Sequence, residues 1–450
     1  MNRIQESTIY REFSDQNSTS RTHAARASDC IPTGTSRSLL KHAPFPFYVD
    51  RAEGIYSTDL DGNRRIDFHN NYTTMIHGHG HQDISEAVRK QLELGTSFSA
   101  PGAREYEFVR HLCERIRSVE QVVFNNSGTE AVMVALRIAR ACTGRNRIGK
   151  FEGGYHGSSD FVMVGGHDVP APDDPVRVSV PTADVAGLPA AATEDVVLIR
   201  YNDPQAVREA VERFGGELAA IIVEPILFAG GVIPATPEFL EVLRSETARA
   251  GIVLVCDEVV TLRHAVGGAQ GFYGLEPDLT TMAKTIGGGF PVGAVGGRRE
   301  FMRVLGDPDE GGTVANLGTF SANPISVSAG LEAMRLLDEA AIGHINDLGE
   351  LARAGLRSAL EKYGAPAQVT GAGSLFEVHW TLEPLIDARG PTTADADRNL
   401  LTFLGMCNRG IQLSMRGIGA LSTPMQRSDI DQMTQAFDQT LEEMNEDGIF

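Results

Sequence analysis

Positive charge is what this chain has least of: 40 lysines and arginines stand against 59 aspartates and glutamates, a net charge of −19. That balance suits neither nucleic acid nor an anionic membrane, so neither is expected as the main partner. Cysteine is sparse as well. The five thiols (Cys30, Cys113, Cys142, Cys256, Cys407) are dispersed with no CxxC, which fits reduced cysteines in the cytoplasm rather than a disulfide framework. Long apolar runs are missing too. The richest stretch, Ala219 to Pro234, is broken by Glu224 and Pro225, so no membrane span is expected. The N-terminus lacks a signal-peptide core, and there is no repeat or low-complexity tract. What is left is 450 residues, 42% hydrophobic and 22% charged, enough for a large core in two domains or one composite.

Against this background one stretch stands out, Glu276 to Arg298, where Lys284 precedes the cluster Gly287-Gly288-Gly289. Glycines allow a tight turn and close approach to a ligand. A lysine beside such a turn can be aimed at one atom, and lysine amines form Schiff bases with aldehydes, pyridoxal phosphate above all. Taken alone, a lysine is more often a solvated surface residue. Upstream, the run from Gly251 to Val259 reads as a buried strand ending in two acids, Asp257 and Glu258. A carboxylate at the C-terminal end of a parallel strand is well placed to pair with a protonated pyridine nitrogen.

Other segments read in order as follows. Residues 1–35 are polar, with a short helix expected around Ser7–Ser14, and are either disordered or an arm docked on a partner subunit. Alternating apolar residues on both sides of Asp61-Gly62 predict a β-hairpin. His77, His79 and His81 would share one face of a strand. A zinc site needs further ligands and a fixed second shell, so a glycine-rich loop is preferred and no metal is expected. Gln121–Phe124 is a short strand that turns at residues 125–129 into a helix with Ala131, Val134, Ala135, Ile138, Ala139 and Cys142 on its expected buried face. The first turn of that helix, with Ser127 and Thr129, is equally a phosphate cradle and an ordinary capped start. The segments 148–151, 196–203, 219–225 and 251–257, separated by amphipathic helices, have the rhythm of a parallel α/β sheet. Its strand ends would bring Tyr201, Glu224 and Asp257 to one crevice. From about Gly343, long amphipathic helices alternate with short strands and a loop, Met415-Arg416-Gly417.

The segments DEVVT at 257–261 and MAKTIGGGFPVGAVGG at 282–297 resemble the class III, fold-type I pyridoxal-phosphate-dependent aminotransferases. Within them the chain is most similar to β-phenylalanine aminotransferases and glutamate-1-semialdehyde 2,1-aminomutases. NSGTEA at 126–131, FEGGYHG at 151–157 and GTF at 318–320 extend the match in the same order. The resemblance implies an α/β fold: a large domain with a mostly parallel sheet, and a small α+β domain from both chain ends. The divisions expected are 1–75 (arm and hairpin), 76–330 (cofactor-binding) and 331–450 (C-terminal small domain). It also implies pyridoxal phosphate on Lys284, Asp257 opposite the ring nitrogen, and Ser127, Gly128 and Thr129 on the phosphate. Tyr155 and Val259 would cover the two ring faces, with His156 and Glu224 in the same pocket. Thr319 would reach the phosphate of the neighbouring subunit, making the active site a property of a homodimer.

The activity implied is ping-pong transfer of an amino group from a β-amino acid or related amine to a keto acid, pyruvate or 2-oxoglutarate. Arg37 and Arg416 match the two arginines of the β-phenylalanine aminotransferases, Arg416 for the acceptor's carboxylate and Arg37 for the donor's. A guanidinium fork suits that task. Tyr72, Met75 and Phe228 would shape the side-chain pocket. The alternative is an aminomutase, which returns the amino group to the same carbon skeleton. Two departures favour the aminotransferase: Leu227-Phe228-Ala229 replaces the asparagine that mutases carry after Glu-Pro, and Arg416 stands where they place an acid. A decarboxylase would share the cofactor site, and a non-catalytic nucleotide-binding protein would show no borohydride-trappable adduct.

Overall fold

The computed structural model describes residues 2–166, 168–306, 309 and 311–450. The chain divides into two units, each assembled from separate stretches of sequence. The first holds residues 1–81, 344–382 and 393–450, and the second residues 82–343 and 383–392.

The second unit is built on a sheet of eight strands among the described residues. These are β1 (Gln121–Asn125), β2 (Arg147–Phe151), β3 (Val178–Ser179), β4 (Val196–Ile199), β5 (Leu218–Val223), β6 (Val253–Asp257), β7 (Leu279–Ala283) and β8 (Gly293–Gly297), in the spatial order β1-β8-β7-β6-β5-β2-β4-β3. β2 runs parallel to β4 and β5, and β6 parallel to β5 and β7. β8 is antiparallel to both β1 and β7, and β3 to β4. All strands but β8 and β3 therefore share one direction, the mixed but mostly parallel sheet of the expected α/β fold.

Near-continuous apolar runs such as Leu218-Ala-Ala-Ile-Ile-Val223 follow from burial of both sheet faces. Ala220 and Ile222 join one core with Ala135 and Ile138 of helix α1 (Gly128–Thr143), while Ile221 and Val223 join another. That second core contains Val207 and Val211 of α2 (Pro204–Phe214) and Phe239 and Leu243 of α3 (Pro237–Ala250). The period of two in β6 does the same, with Val253 and Val255 on one side and Leu254 and Cys256 on the other. Helix starts are written locally. Asp203 before Pro204, Thr236 before Pro237 and Asn323 before Pro324 each accept a first-turn N–H, and the proline takes a position that needs no donor.

The first unit contains the expected hairpin, Tyr56–Asp59 with Arg64–Asp67, antiparallel and turning at Gly62 with φ +86°. Its four-stranded sheet is completed by Val49–Glu53 and Ile411–Gln412, and a three-stranded sheet joins Gln368–Thr370, Leu375–His379 and Ile418–Ala420. The N-terminal segment is ordered rather than disordered, and the helix expected around Ser7–Ser14 spans Thr8–Gln16. Helices Thr8–Gln16 and Ser18–Ala27 pack on their own unit, with Ile9 and Phe13 fully buried and Asn408 Nδ2 donating to the Ile9 carbonyl at 3.0 Å. The reason is spacing: Ile9 and Phe13 lie four apart on one helix face. Asp61 on the hairpin turn accepts the N–H groups of Thr19 and Ser20. The five cysteines are unpaired, and no described helix is long and apolar enough to cross a membrane. Cys142, expected on the buried face of α1, is exposed on the last turn of that helix.

Residues 383–392 leave the surrounding sequence to join the large unit, held by a fully buried ion pair. Arg389 grips Glu152 through Nε at 2.8 Å and Nη2 at 2.9 Å, and Nη1 and Nη2 also donate to the Asp174 and Val176 carbonyls. Glu152 immediately precedes the loop Gly153–Gly157, so this pair also fixes that loop's origin. Arg389→Met leaves a carboxylate buried without its partner and is expected to cost about 3–5 kcal/mol. Urea unfolding should show the loss, and Arg389→Met/Glu152→Gln should recover part of it.

Candidate active site

Because the parallel strands run the same way, β2, β5, β6 and β7 all end at one edge of the sheet. Asp257 closes β6. Its Oδ2 accepts from His156 Nδ1 at 2.7 Å, and its Oδ1 from the Val259 N–H at 3.1 Å and Thr281 Oγ1 at 3.0 Å. These three donors fix the orientation of the buried carboxylate. Burial lowers the pKa of His156 against the upward pull of Asp257. The shift favours the neutral imidazole, and among the described residues its buried Nε2 has no hydrogen-bond partner. The neighbouring acid is structural: Glu258 accepts from Gln270 N at 2.7 Å, Ala269 N at 3.2 Å and the Thr261 hydroxyl.

Glu224 follows β5 and is buried. Its two oxygens accept from the N–H groups of Tyr155 and Phe228, each at 3.3 Å. Burial first, then the charge of Asp257, push its pKa up to about 8. Tyr201 is a core residue rather than part of the crevice. It is fully buried against Phe151 and Phe239, and its hydroxyl donates to the Glu224 carbonyl at 2.9 Å.

Lys284 follows β7 with φ +52°, the left-handed region that side chains rarely enter. The turn continues to Gly288, φ +58°, where a Cβ would lie 2.6 Å from the Ala329 carbonyl oxygen, so only glycine fits. The amine sits 5.4 Å from the centre of the buried Phe228 ring. Burial lowers its pKa to about 8, opposed by Glu224 and Asp257. Another lysine, the fully buried Lys150, is also lowered to about 8 by burial. Its ammonium, however, is committed to the carbonyls of Gly154, Val162 and Val164 at 2.9, 2.9 and 2.6 Å.

An anion cradle lies at the start of α1. Ser127 Oγ accepts from the Glu130 N–H at 3.2 Å, leaving its own proton to donate. Thr129 Oγ1 meets the Ser158 N–H at 3.2 Å and Ser158 Oγ at 3.5 Å. First-turn N–H groups have no intrahelical acceptor, and the helix dipole favours negative charge there. β8 closes in so tightly that a Cβ on Gly293 would overlap the Ser127 carbonyl. Val259 Cγ2 packs 3.2 Å from the Cβ position of Gly128, while Tyr155 is half exposed and Thr319 is exposed. An anion cradle, a buried carboxylate and a lysine of lowered pKa fit the phosphate, ring nitrogen and aldehyde of pyridoxal phosphate.

The remaining candidates belong to the other unit. Arg37 Nη1 donates to Asn71 Oδ1 at 2.7 Å, and its guanidinium lies 5.8 Å from the Tyr72 ring centre. Both Arg37 and Arg416 act electrostatically on the Tyr72 phenol. Arg416 is half exposed and donates from Nη2 to Glu377 Oε1 at 3.1 Å. Met75 is half-buried beside this turn. The histidines of the glycine loop serve local contacts: His77 Nδ1 pairs with Thr423 Oγ1 at 3.0 Å and His79 Nε2 with Asp67 Oδ2 at 2.8 Å. Thr281, Ser158, Asn71 and Glu377 are site residues missed in the sequence. Glu377 alone leaves a trace there, as an acid inside the apolar run Leu375-Phe-Glu-Val378.

Comparison with known proteins agrees with this geometry. The family profile for aminotransferase class III matches residues 39–389. Glutamate-1-semialdehyde 2,1-aminomutase of Methanothermobacter thermautotrophicus is 39% identical over 389 residues, 86% of this chain and 89% of that protein. An omega-transaminase from Sphaerobacter thermophilus is 42% identical with a TM-score of 0.90, covering 95% of this chain and 98% of that one. A β-phenylalanine aminotransferase from Variovorax paradoxus is 34% identical with a TM-score of 0.89, covering 99% and 98%.

The electrostatics predict a pH profile. Capture of pyridoxal phosphate by the apoenzyme, trapped with borohydride, should speed up with pH and level off near 8, where Lys284 loses its proton, rather than near 10.5. Glu224 raises that pKa, so Glu224→Gln should move the plateau to lower pH.

Proposed function

The chain belongs to the class III aminotransferases, enzymes that depend on pyridoxal phosphate, and within that family we propose that it transfers an amino group from a β-amino acid or related amine to pyruvate or 2-oxoglutarate by a ping-pong mechanism. The observation that carries this reading is the Arg37 guanidinium 5.8 Å from the Tyr72 ring centre in a cavity also lined by Met415, the residue before Arg416. Two guanidinium groups can serve two carboxylates, one on the donor and one on the acceptor. The similarity to an omega-transaminase and a β-phenylalanine aminotransferase supports it. An aminomutase is the second reading, favoured by the 39% identical relative. Against it stand Phe228 beside Lys284, where mutases are expected to carry a polar amide, and Arg416 in place of an acid.

Bound cofactor supplies an electron-withdrawing ring that stabilises negative charge on the carbon carrying the amine. The chain supplies the rest. Lys284 would hold the cofactor covalently and, once released, take and return a proton at Nζ; a pKa near the working pH suits it to both directions. Asp257 would face the ring nitrogen, oriented by His156, Thr281 and the Val259 N–H. Tyr155 and Val259 would cover the ring, and Ser127, Gly128 and Thr129 would hold the phosphate. Glu224 fixes the backbone of Tyr155 and Phe228 around Lys284, and Phe228 gives the substrate side chain an apolar wall. On this reading residues 76–330 form the cofactor-binding part, and 1–75 with 331–450 the substrate side.

Thr319 would reach the phosphate of a partner chain, so the active unit would be a homodimer. Exposed apolar side chains on the same unit, Leu317, Phe320, Phe290 and Phe98, support an interface there. Asn323 Nδ2 donates to the Thr96 carbonyl at 2.9 Å and ties the Thr319 loop to the Phe98 segment. Unpaired cysteines fit work in the cytoplasm.

Arg416 is held by Glu377, so an incoming carboxylate competes with an internal one. Arg416→Ala should weaken keto-acid binding by about 1.5–3 kcal/mol, the range for a hydrogen bond to a charged group. Steady-state KM for pyruvate should rise accordingly, and far more than KM for a carboxylate-free amine. Equal effects on the two would remove the carboxylate role and favour the mutase.

A further inference from the structure

Residues Asn70, Asn71, Tyr72 and Thr73 have φ of +50°, +48°, +54° and +75°. Four successive non-glycine residues in left-handed conformation are rare, since a Cβ crowds the following carbonyl there, and tyrosine and threonine tolerate it worse than asparagine. The turn is held from several sides. Asp67 Oδ1 accepts from the Asn70 N–H at 2.8 Å while its Oδ2 is fixed by His79. Asn70 Nδ2 donates to the Ala420 carbonyl at 2.6 Å, and the Met75 N–H closes onto the Asn70 carbonyl at 3.0 Å.

This turn presents two consecutive side chains to Arg37. Asn71 Oδ1 accepts from Nη1, and the Tyr72 ring lies beside the guanidinium while its hydroxyl donates to the Leu39 carbonyl at 3.4 Å. Among the described residues no carboxylate pairs with Arg37. A neutral amide orients the guanidinium without neutralising it, whereas Arg416 is neutralised by Glu377. Arg37 and Tyr72 also line a cavity of about 340 Å³ with Leu39, Phe403 and Met415 in its wall. From this we infer that Asn71, set by the left-handed turn, is a positioning residue that aims the Arg37 guanidinium at the carboxylate of a β-amino acid and keeps it unpaired until that carboxylate binds. The inference rests on the carboxylate role proposed above for Arg37.

The test uses holoenzyme and two donors, β-phenylalanine and 1-phenylethylamine, which differ in whether a carboxylate is present. The quantity read is the ratio of their KM values. Asn71→Gly keeps access to the left-handed conformation and removes the amide. Asn71→Asp keeps the shape but gives Arg37 a permanent partner. Both should raise the ratio, Asn71→Gly by about tenfold, as for loss of one hydrogen bond to a charged group, and Asn71→Asp by at least as much, with kcat for 1-phenylethylamine changing far less. Arg37→Ala serves as the control and should raise the ratio at least as far. If Arg37→Ala raises the ratio and neither Asn71 variant does, the positioning role is wrong while the carboxylate reading stands. If Arg37→Ala also leaves it unmoved, both fall. Equal increases for the two donors in the Asn71 variants would mark the turn as structural only and overturn the inference.

Discussion

Everything at this site depends on keeping three ionisable groups, Lys284, Glu224 and Asp257, close together with little water. Charge is costly in such a place, and each group is affected differently. Asp257 has three hydrogen-bond donors on its two oxygens. Glu224 has only two long backbone contacts, and burial together with Asp257 pushes it up to about 8. Lys284 is pulled down to about 8 by burial and held from falling further by the two acids. A lysine amine that is neutral for part of the time at ordinary pH is a nucleophile and a proton carrier. A parallel sheet suits the task, since adjacent strands deliver their last residues to one edge and the apolar helices on both faces keep water from the strands themselves.

Burial alone does not make such a lysine. Lys150 is buried and lowered as far as Lys284, yet its protons are fixed on three carbonyls of the loop beyond β2. It ties down the backbone from Gly154 to Val164, the loop that carries Tyr155 and His156. The Arg389–Glu152 pair fixes the same loop from its start. Lys150 and Arg389 thus spend their charge on holding a loop, whereas the Lys284 amine lies opposite an apolar ring. In the other unit Arg416 is already paired with Glu377, and Arg37 is oriented by an amide and a ring.

What the sequence makes legible follows from locality. The β strands show as apolar runs because both faces are covered, the helix starts because Asp-Pro, Thr-Pro and Asn-Pro carry their caps within three residues, and the cradle because its groups are consecutive in NSGTEA. Lys284 and Asp257 are legible for the same reason, each at the end of a strand signal. Contacts between distant segments leave no such trace. Thr281 reaches Asp257 because β6 and β7 pair with those two residues in register, and no pattern within either strand fixes a register. The N-terminal helices hide two apolar residues among serines and arginines, so their packing is invisible until the hairpin they cover is in place. The left-handed turn at 70–73 is written in residues that mostly prefer other conformations, and only tertiary contacts from Asp67 and Ala420 impose it.

The central claim is that Lys284 holds the cofactor, and the contrast with the fully buried Lys150 makes it directly testable. Holoenzyme reduced with borohydride and digested should give, by mass spectrometry, one stoichiometric pyridoxyl adduct on the peptide containing Lys284 and an unmodified peptide containing Lys150. An adduct on Lys150, or on any other lysine in place of Lys284, would contradict the account.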